Sequence, residues 1–302
     1  MEDKGRIALY GTAAVVCAAL AWAGFIRKAE ADPGTLVRSA QITLDSVRMM
    51  PRIWKGEPNA LRRKMLAQAE ENLLSAERQV RAALAGGGGV EGWKGEDLAC
   101  ILEFLGYARL LGDDRAGALD YYRKALEQEG CSPERRRSLT FSLARIQLDR
   151  GKPREAREWL NTLEPSVLTK ADRARWNLMV GEALLKEKAP LPEVRPYIDE
   201  ACSCSGGDPE VEEACGLFYE RAGDAGKGAE CLERAGSSRP SALLHLAELK
   251  LRQGDAETAT SVLLVLGKKA PGLLEAALER KEFRKIARDP RLKALGEEKG
   301  RK

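Results

Sequence analysis

The chain has 302 residues, with 50 Lys and Arg against 46 Asp and Glu, a formal net charge of +4 and 44% hydrophobic residues. This near balance excludes the large basic excess of a nucleic-acid-binding chain and gives no reason to expect an acidic substrate. Aromatic residues at 5% beside 32% charged residues suit a helical protein rich in Ala, Leu, Glu, Lys and Arg, so an all-α fold is the starting expectation.

Ile7 to Ile26 is a run of 20 residues without a charge, which as a helix is about 30 Å long and matches a bilayer core. Lys4 and Arg6 flank it on one side and Arg27 and Lys28 on the other, and Trp22 and Phe25 fit an interfacial belt. Residues 1–6 are therefore expected to form a head and residues 7–26 a single transmembrane anchor. The pair Ala21 and Ala23 keeps a second reading open, a cleaved signal peptide with an A-x-A site, and a buried soluble helix is the third. Val16 before Cys17 fits a lipoprotein acylation site poorly, so a lipid anchor is rejected. A short head before a first apolar span usually stays inside, which sets the expectation that the remainder lies on the non-cytoplasmic, periplasmic side. The basic excess from Arg27 to Lys64 argues the other way, toward an anionic cytoplasmic leaflet.

Residues 27–95 read as juxtamembrane helices and a glycine-rich linker. Asp32-Pro33-Gly34 breaks the anchor helix, and Leu36, Val37, Ala40, Leu44 and Val47 mark one face of a helix that Pro51 ends. Asn59 is expected to cap a longer helix carrying Leu61, Met65, Ala69, Leu73, Ala76, Val80 and Leu84, stopped at Gly86 to Gly89. These two helices could make a degenerate first repeat, because Ala69, Leu73 and Ala76 follow the small, large, small spacing found further on. Gly86 to Gly89 with Gly92-Trp93-Lys94-Gly95 has no phosphate-loop spacing and no preceding strand, so a flexible joint is expected there.

From Glu96 to Gly272 five units align on their second helices. A small residue near the start of each (Ala118, Ala156, Val194, Gly228, Ala259) is followed four positions on by Tyr122, Leu160, Ile198, Leu232 and Leu263. Seven positions on come Ala125, Leu163, Ala201, Ala235 and Leu266, and in each first helix stands Gly106, Ala144, Gly181, Gly216 or Ala247. Where paired helices cross tightly, only Gly or Ala admits the facing backbone, and the large residue fills the next gap. The paired helices are joined at Gly112-Asp113, Gly151-Lys152-Pro153, Lys188 to Pro192, Gly223-Asp224 and Gly254-Asp255, where glycine supplies the left-handed conformation that ends a helix. Prolines 133, 165, 209, 240 and 271 separate the units.

These units resemble tetratricopeptide repeats, most closely at Leu105-Gly106, Ala118, Tyr122 and Ala125 in the first and at Ala247, Gly254-Asp255, Ala259 and Pro271 in the last. The resemblance implies a right-handed α-solenoid of antiparallel helix pairs over residues 96–272. Residues 273–295 are expected to be capping helices and residues 296–302 a charged tail.

Chemistry weighs little against packing. His245 lies among Leu243, Leu244 and Leu246 with no second histidine, and reads as structural. Cys202-Ser203-Cys204 with Cys215 and Cys231 is the one group that invites a metal or a disulfide. Its C-x-C start is tighter than zinc spacing, and small buried packing residues are the plainer reading. No catalytic residue, metal or cofactor is expected.

In tetratricopeptide arrays the first helices line a concave groove, and the resemblance carries that onto Glu103, Tyr107, Leu110, Phe141, Arg145, Leu148, Arg175, Leu178, Glu182, Leu185, Glu213, Leu217, Glu220, Leu244, Glu248 and Leu251. Repeated acids among leucines suggest an amphipathic, basic protein segment as ligand. Members that clamp a chaperone's C-terminal carboxylate use lysines and asparagines there, and the matching places here hold Glu, Phe, Leu and Tyr. The function expected is a membrane-tethered, non-enzymatic scaffold for a protein partner, without nucleic acid. The alternatives are an exported periplasmic assembly or chaperone-like factor after signal cleavage, and a non-catalytic subunit of an enzyme complex.

Overall fold

A computed structural model gives the fold and describes residues 31–49, 57–86 and 92–292. The segment expected to anchor the chain, residues 7–26, lies outside the described residues, as do glycines 87–89 and the tail 296–302. Among the described residues every assigned element is helical, and no helix is long and apolar enough to cross a membrane. The chain divides into two compact units, Met1–Ile146 and Gln147–Lys302.

The first unit contains α1 (Pro33–Met49), α2 (Glu57–Leu84), α3 (Gly95–Leu111), α4 (Arg115–Leu126) and most of α5 (Pro133–Asp149). α1 packs on α2 and α3 on α4, while α3 also touches both helices of the first pair. The apolar periodicity read from the sequence is the buried face: Leu36, Ala40, Leu44 and Val47 on α1, and Met65, Ala69, Leu73, Ala76 and Val80 on α2. α2 starts at Glu57, two residues before the expected cap at Asn59. Arg62 is buried between the pairs, where Nη1 donates to the Val47 carbonyl at 3.0 Å and Nη2 to the Leu111 carbonyl at 2.9 Å. One guanidinium thus satisfies carbonyls at the ends of two helices, which have no intrahelical partner. The glycine-rich stretch ends in a packed junction: the Trp93 ring lies against Gly34, and any side chain at Gly95 would strike the Glu129 carbonyl.

The second unit contains α6 (Pro153–Leu160), a 3-10 turn (Pro165–Val167), α7 (Lys170–Lys186), α8 (Leu191–Cys204), α9 (Pro209–Arg221), α10 (Ala225–Gly236), α11 (Pro240–Arg252), α12 (Ala256–Lys269), α13 (Pro271–Leu278) and a closing 3-10 turn (Lys281–Phe283). Three helix pairs, α7 with α8, α9 with α10 and α11 with α12, follow one another. The first helices also touch in sequence, α7 to α9, α9 to α11 and α11 to α13.

In three helix pairs the small residue of the first helix meets the large residue of the second. A Cβ at Gly106 would lie 2.5 Å from the Tyr122 ring, one at Gly181 2.7 Å from Ile198 Cδ1, and one at Gly216 2.7 Å from Leu232 Cγ. This is the helical-repeat packing expected from the aligned positions, and it makes the fold a tetratricopeptide-like succession of helix pairs.

Two turns differ from the expectation. At the first, Gly112 has φ −83° and Asp113 takes the left-handed conformation at φ 64°; at the third, Lys188 takes it at φ 63°. Asp113 fits because a short polar side chain tolerates that region, and Asp114 then caps α4 by accepting from the Gly117 amide at 2.9 Å. Asp224 and Asp255 cap α10 and α12 likewise, accepting from Lys227 at 3.2 Å and Thr258 at 3.0 Å. Prolines 133, 209, 240 and 271 each open the following helix, at the first-turn position where no amide hydrogen is needed. Beyond α13 the chain makes a 3-10 turn and further turns before helix resumes at Pro290, and residues 293–295 of the expected cap lie outside the described residues. This closing segment covers the end of the array, because Phe283, Ile286 and Leu292 join Leu263, Leu266, Leu274 and Ala277 in one apolar cluster.

Candidate interaction surface

The sixteen candidate residues fall as a triplet on each first helix at positions i, i+4 and i+7, with Arg175 one turn ahead of its triplet. That spacing puts three side chains on one face of a helix. In the second unit the triplets are Leu178, Glu182 and Leu185 on α7, Glu213, Leu217 and Glu220 on α9, and Leu244, Glu248 and Leu251 on α11. Because α7, α9 and α11 touch in sequence, the three triplets form neighbouring stripes. In the first unit α3 presents Glu103, Tyr107 and Leu110.

Burial divides the set. Phe141 and Leu244 are buried, and Leu148 is fully so, leaving them no surface to offer. A first helix contacts its own second helix and the neighbouring pair as well, so part of its third side is absorbed by packing. Tyr107, Leu110, Leu178, Leu185, Leu217 and Leu251 are partly exposed, as are Arg145 and Glu182, and Arg175 is exposed. Leu178 and Leu185 lean on the core formed by Ala174, Val194, Ile198 and Phe218.

Four of the five acids are held by bases further along the chain, while Glu182 pairs with Lys186 on its own helix. Glu103 pairs with Arg135, which also bonds Glu96 at 2.8 Å. Glu213, only 7% exposed, accepts from Arg239 Nε at 2.6 Å and faces His245 Nδ1 at 3.2 Å. Glu220 pairs with Arg252, and Glu248 with Arg280 at 2.9 Å. Four of these contacts, Glu103 to Arg135, Glu213 to His245, Glu220 to Arg252 and Glu248 to Arg280, join residues 32 apart in sequence. The basic partners were not among the sequence candidates. A search for acids followed by a base one repeat later would have found all of them but Arg239. Burial opposes ionisation of Glu96, but bonds from Arg135 and Ser132 outweigh it and hold its carboxyl below the usual range. His245 stands beside Glu213 in this contact. Among the described residues no group of three or more potential ligands is placed to hold an ion.

No protein-family model and no curated protein matches the sequence. Among solved structures, the chain is similar to PilF of Pseudomonas aeruginosa, at 16% identity over 83% of this chain and 98% of that one, TM-score 0.49. It is similar to BtubC of P. vanneervenii at 17% identity over 78% and 89%, TM-score 0.49. MamA of Desulfovibrio magneticus RS-1 aligns at 18% identity over 60% and 97%, TM-score 0.44. At these scores the likenesses carry no weight beside the helix-pair geometry described above.

Proposed function

We propose that the chain is a non-enzymatic scaffold that recruits a protein segment to a membrane, held there by residues 7–26. The supporting observation is the set of neighbouring stripes on α7, α9 and α11, each of which carries at least one partly exposed leucine. Glu220 and Glu248 are already occupied by Arg252 and Arg280, so the apolar side of an amphipathic segment supplies the affinity, seated on Leu178, Leu185, Leu217 and Leu251. Tyr107 and Leu110 on α3 offer the same chemistry in the first unit. The tether rests on the 20 uncharged residues between Ile7 and Ile26, bounded by bases on both sides.

Photo-crosslinking in intact membranes tests the surface. A crosslinker at Leu217 or Tyr107 captures a partner, and one at Glu233, exposed on α10, does not. Equal capture from both faces, or none from Leu217 and Tyr107, removes the reading. The pair Ala21 and Ala23 favours a second reading, an exported soluble factor. Intact mass of the mature protein separates the two, since cleavage removes the apolar segment.

A further inference from the structure

We propose that Cys202 is a reactive thiol that exchanges with small disulfides and is resolved by Cys231, forming a reversible Cys202–Cys231 disulfide that ties α8 to α10. This stands independently of the partner-binding surface. Three thiols converge in the second unit, from α8 (Cys202), α9 (Cys215) and α10 (Cys231). Cys202 Sγ and Cys231 Sγ are 3.6 Å apart. Arg234, one turn beyond Cys231, donates through Nη2 to Cys231 Sγ at 3.3 Å and to Cys202 Sγ at 3.6 Å. Its guanidinium is aimed by Glu212, whose Oε1 accepts from Nε at 3.0 Å and also from Ser205 Oγ at 3.3 Å. A cation fixed over two sulfurs favours the thiolate, which is the nucleophile of exchange.

The three thiols are not equivalent. Cys215 is fully buried and Cys231 nearly so, whereas Cys202 is partly exposed. Hydrogen bonds from Cys215 and Cys231, with the Arg234 charge, push the Cys202 thiol well down. The same bonds, with burial, push Cys215 and Cys231 up. Cys202 is therefore the most accessible of the three, and the one whose thiolate the network favours. Cys204, two residues on, has its sulfur 3.3 Å from Glu200 Oε1 and serves as an internal control.

The step balances with a small disulfide as oxidant. The Cys202 thiolate attacks one sulfur of that disulfide, its S–S bond breaks, and a mixed disulfide on Cys202 forms as one small thiolate leaves. Capping Cys202 removes the neighbouring anion that held the Cys231 proton. Cys231 gives up its proton to solvent or to the departing thiolate and attacks Cys202 Sγ, and the second small thiolate leaves. Two protein thiols and one small disulfide become one protein disulfide and two small thiols, with the protein oxidised by two electrons.

The test treats the reduced full chain with oxidised glutathione, quenches with acid and an alkylating agent, and maps peptides without reduction. A Cys202–Cys231 peptide should form first, and Cys231→Ser should instead trap glutathione on Cys202. Arg234→Met should slow Cys202 modification about tenfold with Cys204 unchanged, while Arg234→Lys retains most of the rate. Circular dichroism checks that the variants stay folded, and the mapping of the unsubstituted chain needs no variant. Faster labelling of Cys204, Cys100 or Cys17, a link from Cys202 to Cys215 or Cys204, or an unchanged rate in Arg234→Met would overturn the proposal.

Discussion

At Gly216 a methyl group would come within 2.7 Å of Leu232 and 3.0 Å of the Gly228 carbonyl, whereas at Gly272 it would meet nothing within 4 Å. Alanine in place of a helical glycine gains about 1 kcal/mol of propensity. Overpacking costs about 1–3 kcal/mol, and the backbone carbonyl at Gly228 cannot swing aside as a side chain can. Gly216→Ala should therefore lower the urea midpoint while Gly272→Ala leaves it unchanged or raises it; a Gly216→Ala protein as stable as its parent would refute the close-crossing account. Arg62 is the opposite case, a large polar side chain whose role is hidden from sequence periodicity. Its two charge-assisted bonds to helix-end carbonyls imply a loss of about 3 kcal/mol for Arg62→Ala in thermal or urea unfolding. Arg62→Lys should recover only part, since an ammonium lacks the fork that reaches Val47 and Leu111 together.

Between helices, the acids of one pair and the bases of the next form contacts of unequal worth. Glu213 is nearly buried with Arg239 and His245 around it, so Glu213→Gln should cost about 1–3 kcal/mol at any ionic strength. Arg252 is 62% exposed, so Glu220→Gln should cost below about 1 kcal/mol. That smaller loss should vanish near 1 M salt, where the screening length is about 3 Å. Unfolding in low and high salt measures both, and an equal salt response in the two variants would dissolve the distinction. The same contacts explain how much of the surface was legible. The i, i+4, i+7 pattern locates the helix face, because that periodicity is fixed by the backbone. It does not say which members a neighbouring helix has claimed: Leu148 and Leu185 occupy the same i+7 place in their triplets, and one is fully buried while the other is partly open. Nor does a run of acids reveal that its counter-ions stand 32 residues further on. The turns failed locally for a related reason, since Asp113 and Lys188 adopt a conformation that sequence assigns first to glycine.

Across the described residues, most helices and their pairing were readable because small residues opposite large ones must recur wherever two helices cross closely. The apolar residues of the closing segment, Phe283, Ile286 and Leu292, cover the edge of the last pair. That edge makes stability local. In an array whose pairs touch mainly their neighbours, the total is roughly a sum of unit and nearest-neighbour terms. Phe283 is fully buried against the last pair, so Phe283→Ala should cost about 3–5 kcal/mol there. The loss should appear as faster amide hydrogen exchange in α11, α12 and α13, with exchange in α1 to α4 unchanged. Uniform acceleration through both units would mean instead that the chain unfolds as one body, and the nearest-neighbour picture would fail. Local opening at this end would also free Lys269, whose Nζ bonds the Gly236 carbonyl at 3.1 Å, so α10 should loosen next and before α7. The order of exchange along the second unit thus reads the direction in which the array comes apart.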